Sequence, residues 1–109
     1  MASVTATINA GQSLSAAANV TGVISAIATP PNWVNANMTF QISPDNGVTW
    51  FDLFDSFSRE VMVNVKAGTI VTVDATSPLS QKAFIKIRSG SRDSPVIQPV
   101  TVGVQIASN

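Results

Sequence analysis

The sequence predicts an all-β fold: a single antiparallel β-sandwich or jelly roll of about eight strands, formed by residues 1–109. Apolar residues recur with a period of two in several short runs, which is typical of strands with one buried face. Clusters of Gly, Pro, Asn and Ser separate these runs at regular intervals. No segment shows sustained helical periodicity, and a chain of this length forms one domain with a modest core.

The first third of the chain contains two predicted strands. Residues 4–8 alternate and predict the first strand, and residues 20–28 predict another, which ends at Pro30-Pro31 because proline cannot donate to a ladder. Between them, residues 13–18 fit either an edge strand or a helical turn. The uncharged segment from Met1 to Gly11 leaves two alternatives open: an intramolecular first strand, or an arm that exchanges with a neighbouring subunit.

The strongest turn signal lies in residues 38–53, where two alternating segments flank Pro44-Asp45-Asn46-Gly47 and predict a β-hairpin. A turn carboxylate can accept backbone N–H groups, a glycine there adopts positive φ without strain, and the tryptophan is expected to plug the core. The residues that form this structural hairpin are Ser43, Asp45, Gly47, Thr49 and Trp50.

The pattern Ser-x-Asp-x-Gly-x-Thr-Trp resembles the Asp-box, a structural hairpin of sialidase-like propellers. It occurs once, without the repeats that would form propeller blades. Sialidases use a tyrosine nucleophile, and this chain contains no tyrosine. We therefore interpret the hairpin as structural.

The second half of the chain predicts four more strands, at residues 60–66, 69–74, 82–88 and 100–106. In the second of these, either Ile70 and Thr72 or Val71 and Val73 face inward, and the latter choice buries more apolar surface. Phe84 falls on the outward face of its strand, with Lys86 and Arg88. The other residues expected in the core are Val61, Val63, Val65, Leu79, Ile85, Ile87, Val100, Val102, Val104 and Ile106.

Composition argues against an enzyme. The chain has no Cys, His or Tyr, which removes disulfides, thiolate metal sites and the commonest general base. The spacing of Asp45, Asp52, Asp55 and Glu60 matches no calcium loop, and we interpret these carboxylates as a solvated acidic rim. We expect no cofactor, no metal and no membrane span, since residues 14–28 are too short and too polar to cross a bilayer.

Charge is sparse and unevenly distributed. Charged residues make up 11% of the chain, and none occurs in residues 1–44 or 94–109, whereas soluble domains carry charge on about a quarter of their residues. The uncharged regions form either an ordinary Ser/Thr/Asn/Gln-rich surface or a surface covered by partner subunits.

The charged middle of the chain supplies candidate interaction residues. An acidic group at one end and a basic group at the other suggest ion pairs between subunits, which would set register and specificity. These candidates are Asp52, Asp55, Lys82, Lys86, Arg88 and Arg92. Four basic residues without an established exposed aromatic do not predict nucleic-acid binding.

A glycan-binding reading depends on exposed aromatic rings. Trp33, in a loop after two prolines, is the only aromatic expected to be exposed, and it could instead cap one end of the sandwich. Trp50 and most phenylalanines are expected in the core. A glycan is therefore the less favoured partner.

Nearly the full length resembles a family of small structural proteins encoded among the head genes of tailed bacteriophages. The segments that carry the resemblance are Gly11-Gln12-Ser13-Leu14-Ser15, Thr29-Pro30-Pro31-Asn32-Trp33, Met38-Thr39-Phe40-Gln41-Ile42-Ser43, Ile85-Lys86-Ile87-Arg88-Ser89-Gly90 and Pro95-Val96-Ile97-Gln98-Pro99. This chain has Asn46-Gly47 where Gly-Gly is common in the family.

The resemblance implies a virion component on the capsid exterior, assembled in the bacterial host cytoplasm. The expected function is that of a cement or decoration protein. Its expected partners are the major capsid protein and copies of itself, with a trimer as one arrangement. The alternatives are a head fibre, spike or tail-associated protein, and a carbohydrate-binding module for host attachment.

Overall fold

The computed structural model describes residues 2–109 and confirms the all-β fold. Eight strands form two four-stranded antiparallel sheets, and Met1, the first residue of the predicted arm, lies outside the described residues. The strands are β1 (Ala2–Ile8), β2 (Ala18–Asn19), β3 (Ile24–Ala28), β4 (Met38–Ile42), β5 (Phe51–Asp52), β6 (Ile70–Thr72), β7 (Phe84–Ser89) and β8 (Val102–Ser108).

The strand order is that of a jelly roll. Sheet I has the order β1-β8-β3-β6, and sheet II has the order β2-β7-β4-β5. The chain pairs β1 with β8, β2 with β7, β3 with β6 and β4 with β5, as when one long antiparallel hairpin is rolled into a sandwich. The sequence-based choice between a simple sandwich and a jelly roll is thereby resolved.

The core lies between the inner faces of the two sheets. Phe40 and Met38 of β4 are fully buried and belong to one core cluster with residues of the facing sheet, such as Ile8 and Val104. The predicted inward phase is confirmed for β7 and β8, and Leu79 is fully buried in the turn before β7. Val100, predicted inward, is exposed because it lies in a bend before β8 begins at Val102.

Residues 60–66 do not form the predicted continuous strand. The segment makes only isolated bridges, at Glu60 with Phe54 and at Val63 with Met38. Val63 still exchanges both backbone hydrogen bonds with Met38, each at 2.9 Å. The side-chain alternation is nevertheless as predicted, since Val61 and Val63 are half-buried and Val65 is buried. In β6, Val71 turns inward and Ile70 is exposed.

The predicted hairpin at residues 38–53 has a longer loop than expected. Ile42 pairs with Phe51 and Gln41 with Asp52, so residues 43–50 all belong to the loop. The second segment of the predicted hairpin, residues 48–53, forms a strand only at Phe51–Asp52, so the prediction that it begins directly after Gly47 was wrong. The reason is local, because the side chains of Ser43 and Asp45 bond the backbone of this loop and compete with a ladder.

β1 pairs with β8 of its own chain along its full length, from Ala2 opposite Ser108 to Ile8 opposite Val102. Of the two alternatives left open for residues 1–11, this is the intramolecular strand. Residues 13–18 are extended and not helical, with Leu14 bridging to Arg88 of β7.

Candidate interaction surfaces

The two sheets differ in charge. No strand of sheet I contains a charged residue, and the charged residues within strands, Asp52, Lys86 and Arg88, all belong to sheet II. The sandwich therefore presents one charge-free outer face and one charged outer face. Sequence analysis located the uncharged segments, but only the topology places β1, β3 and β8 side by side.

The outer face of sheet I consists of small and uncharged side chains arranged in regular rows. Strand pairing sets Ser3 beside Ala107, Ala26 and Thr72 in one row. The next row consists of Thr5, Gln105, Ala28 and Ile70. We call this set the neutral face: Ser3, Thr5, Thr7, Ala26, Ala28, Ile70, Thr72, Gly103, Gln105 and Ala107. Its only large apolar member is Ile70, which is 67% exposed.

The outer face of sheet II carries an ion cluster centred on Arg88. The guanidinium of Arg88 bonds the carboxylate of Asp52 and lies 3.1 Å from Oε2 of Glu60. Arg92 adds Nε at 3.1 Å from Oδ2 of Asp52 and donates its backbone N–H to Glu60. Asp52 and Glu60 are thus not part of a solvated rim, because a buried arginine compensates both.

The ion cluster lowers the pKa of Asp52. Burial alone would raise it, but the hydrogen bond and charge of Arg88, with Gln41 and Arg92, outweigh burial and hold the pKa below its ordinary value. The ionised form of Asp52 is therefore favoured in the folded protein. The charges of Asp52, Arg88 and Arg92 are thus compensated within one chain, and their pairing between subunits stays a prediction.

Asp55 is likewise occupied within the chain. Its carboxylate accepts the backbone N–H groups of Phe57 and Arg59 and lies 3.1 Å from Nε of Arg59. The backbone hydrogen bond from Arg59 is the main reason that the pKa of Asp55 lies below its ordinary value. These bonds build a turn that has Phe57 at its tip. Asp55 forms a local ion pair, and its pairing between subunits stays a prediction.

The loop of residues 43–50 is held by Asp45. One carboxylate oxygen accepts the Thr49 backbone N–H at 2.8 Å, and the other accepts the Thr49 hydroxyl at 2.6 Å. The Thr49 hydroxyl bond, the Thr49 backbone bond and the Ser43 hydroxyl together lower the pKa of Asp45 to about 2. Asn46 and Gly47 have positive φ values of 61° and 90°. The carboxylate is committed to the loop, in agreement with a structural turn.

Trp50 does not plug the core as predicted. It is half-buried on the outside of sheet II, where Nζ of Lys86 lies 4.6 Å from the centroid of its ring. The other predicted basic residue, Lys82, is half-buried in the turn before β7, and its role in pairing between subunits stays a prediction.

Trp33 is buried, at 3% exposure, which contradicts the expectation that it is exposed. Its indole N–H donates to the carbonyl of Ala36. The buried side chain of Gln98 bonds both the N–H and the C=O of Val34 and so fixes this loop against the domain. Trp33 therefore closes the end of the sandwich, which was the alternative considered for it.

Three of the phenylalanines are exposed, contrary to expectation. Phe51, Phe54 and Phe57 are 61%, 40% and 77% exposed, and they lie in β5 and in the segment that follows it. Phe51 shares the inner-face phase with buried Leu53 but lies near the end of the sandwich, where it stays uncovered. No signal in the sequence distinguished it from a core residue.

The described part of the chain contains no group of three or more His, Cys, Asp or Glu residues placed to hold a metal ion. Within residues 2–109, no helix is long and apolar enough to cross a membrane.

Comparisons with protein families, with characterised proteins and with solved structures give no match to this chain. The fold and the surfaces described above therefore define the class of protein: a small jelly-roll domain with one neutral face and one charged face.

Proposed function

We propose that this protein is a capsid decoration, or cement, protein of a tailed bacteriophage. It binds the outer capsid lattice through the neutral face and stabilises the head by bridging neighbouring capsid subunits. The observation that carries this proposal is the absence of charge from all four strands of sheet I.

A neutral face suits docking because little has to be desolvated. Burying an ionised group is costly unless it is paired, and the neutral face presents only hydroxyls, one amide and apolar groups. Burial of apolar area contributes about 25 cal/mol per Å² to the binding free energy, and the entropy lost on association reduces this gain. Where several linked copies bind the lattice together, multivalency strengthens the weak binding of each copy.

The charged face suits the solvent side. Arg88 and its carboxylate partners are compensated within the chain, so this face offers fewer free charges to a partner. A charged exterior also keeps particles separate in solution.

The jelly-roll topology and the sequence resemblance support the same reading. Jelly rolls occur in viral capsid and lectin domains, although a fold by itself does not determine function. On this proposal the partners are the major capsid protein and copies of the chain itself, and the protein is located on the particle exterior after assembly in the host cytoplasm.

The first experiment measures copy number. Quantitative mass spectrometry of purified particles, referenced to the major capsid protein, is expected to give copies in proportion to the whole lattice. A few copies per particle would instead identify a head fibre, spike or tail-associated protein.

The second experiment tests the neutral face. Gln105→Lys puts a charge at the centre of this face, and Val48→Lys puts the same charge on an exposed loop of sheet II. Binding to particles that lack the protein is expected to weaken at least tenfold for Gln105→Lys and to stay unchanged for Val48→Lys. Equal binding by both variants would contradict the proposal.

A second candidate function is glycan binding, which the three exposed phenylalanines favour, since aromatic faces stack on sugars. The residue to test is Phe51, because Trp33 is buried and cationic side chains lie over the rings of Trp50 and Phe57. Phe51→Ala would abolish binding to host-surface glycans in this case and leave particle binding intact. If the protein is a decoration protein, we expect that the wild type does not bind host-surface glycans.

A further inference from the structure

β1 is the one long edge strand that is open in the described part of the chain. It has seven residues in continuous register with β8, and it contains no charge, no proline and no bulge. The other edge strands, β2, β5 and β6, have two, two and three residues. Short edges and charges are devices that prevent edge-to-edge association, and β1 has neither.

One contact identifies which backbone groups of β1 are available. The carbonyl of Thr7 accepts the N–H of Ala16 at 3.2 Å, on the side away from β8. In a strand the N–H and C=O of one residue point to the same side, and alternate residues share that side. The N–H and C=O groups of Ser3 and Thr5 therefore face the open edge, while those of Val4 and Ala6 bond β8.

We propose that β1 pairs antiparallel with β1 of a second copy of this chain, about a two-fold axis that passes beside Val4. Ser3 then lies opposite Thr5 of the partner subunit, and each residue exchanges both of its backbone hydrogen bonds. Val4 lies opposite Val4 of the partner subunit in a pair without backbone hydrogen bonds.

The pattern of free backbone N–H and C=O groups at the edge of β1 favours pairing with a second copy of this chain over pairing with a different protein. This register uses all the edge-facing groups of Ser3 and Thr5 in both chains, and it leaves the Thr7 carbonyl with Ala16. A shift of the axis to Thr5 would instead pair Ser3 with Thr7 of the partner subunit, whose carbonyl is already occupied. An uncharged strand also causes no repulsion between identical copies and offers no charge for a different partner to recognise.

Pairing in this register joins the two copies of sheet I into one eight-stranded sheet, and the two neutral faces become continuous. Each β1 stays on its own β8, so the dimer is distinct from one formed by strand exchange. The interface is small, so we expect association at high concentration and not a permanent dimer. The inference does not depend on what the neutral face binds.

Single-cysteine cross-linking tests the register, because the chain has no cysteine of its own. In antiparallel strands, the Cα atoms of a non-hydrogen-bonded residue pair lie about 4.5 Å apart. This distance falls within the Cα–Cα range of disulfides, about 4.4–6.8 Å. Val4→Cys is therefore expected to form a covalent dimer under mild oxidation at least tenfold faster than Thr5→Cys, which lies opposite Ser3 of the partner subunit. Matching melting curves confirm that both variants fold.

A proline variant tests the same pairing without cysteine. Thr5→Pro removes an N–H that faces the open edge and leaves the hydrogen bonds between β1 and β8 in place. In sedimentation measurements it is expected to raise the dimer dissociation constant at least tenfold, and in Val4→Cys it is expected to suppress the cross-link. Equal cross-linking of Val4→Cys and Thr5→Cys, a purely monomeric or trimeric wild type, or a dimer unaffected by Thr5→Pro would each overturn the proposal. If the wild type does not self-associate, and Thr5→Pro loses particle binding while Thr5→Ala retains it, the open edge pairs with a capsid strand and the proposal is overturned as well.

Discussion

Lys86 holds its ammonium nitrogen 4.6 Å from the centroid of the Trp50 ring, so the tryptophan that ends the Asp45 loop packs on the outer face of sheet II. Gly47 lies beside the same ring, since a Cβ at this position would be 3.9 Å from both Trp50 and Phe84. Trp50 thus clamps a loop onto a sheet and does not fill the core.

This placement lowers the expected cost of removing Trp50. Trp50→Ala loses partial burial and a cation–π contact worth about 0.5–1 kcal/mol at exposed sites, and we expect a total loss near 1–2 kcal/mol. Phe40→Ala, in the fully buried core, is expected to cost about 3–5 kcal/mol. Urea denaturation of both variants gives the two values, and a larger loss for Trp50→Ala would contradict this assignment.

The depressed pKa of Asp45 predicts a loss of stability in acid. A carboxyl whose pKa is lowered on folding, here to about 2, contributes stability above its unfolded pKa of about 4, and this stability is lost as pH falls through the folded value. Between about pH 4 and pH 2, the urea midpoint of the wild type is therefore expected to fall. Asp45→Asn is expected to flatten this decline. The matched control is Asp74→Asn at an exposed position, which is expected to leave the decline unchanged. An equally steep decline in Asp45→Asn would remove Asp45 as its cause.

Alanine substitutions at two glycines distinguish the cost of backbone strain from the cost of a steric clash. Gly11 and Gly90 have φ values of +82° and +89°, but a Cβ at Gly11 meets nothing within 4 Å, whereas one at Gly90 lies 2.5 Å from the Ser94 carbonyl oxygen. Gly11→Ala is expected to cost about 1–2 kcal/mol from conformation alone. Gly90→Ala adds overpacking worth about 1–3 kcal/mol, because the neighbouring atoms are backbone. Thermal melts of the pair test this order, and equal costs would show that the clash relaxes freely.

The ion cluster predicts unequal roles for two arginines. Arg88→Ala leaves Asp52 and Glu60 largely buried without their cation, and since the Arg88 side chain is only 8% exposed we expect a loss of about 2–4 kcal/mol. Arg59→Ala removes an ion pair whose arginine is 73% exposed, which is expected to cost about 1 kcal/mol or less. Urea denaturation at moderate salt gives the loss in unfolding free energy for each variant. Similar small losses for both variants would mean that solvent reaches the ion cluster around Arg88.

Much of the fold was predictable because each strand carries its own signal. The alternation in residues 61–65, 85–87 and 102–106 assigned the inner face correctly, even at residues 60–66, where no continuous ladder forms. A period of two records which side a residue faces. It does not record how far the opposite sheet extends, and for that reason Phe51 has the inward phase and is still exposed.

The candidate surfaces were harder to predict because they depend on residues far apart in the sequence. Arg88 meets Glu60 and Asp52 across separations of 28 and 36 residues, so the cluster appears only once β5 and β7 are placed in one sheet. Trp33 is covered because Gln98 holds its loop from 64 residues away. Sequence analysis identified the uncharged segments, and the topology arranged them on one face.

The pairing of β1 with β8 has a consequence for synthesis of the chain. β1 leaves the ribosome before β8, and the two strands cannot pair until residues 9–101 have followed β1, which takes roughly 5–20 s at typical elongation rates. During that interval an uncharged strand has both edges unpaired, and chains growing on the same messenger expose identical strands beside it. Native β1–β8 closure therefore competes with pairing between nascent chains, and conditions that slow translation are expected to increase misassembly.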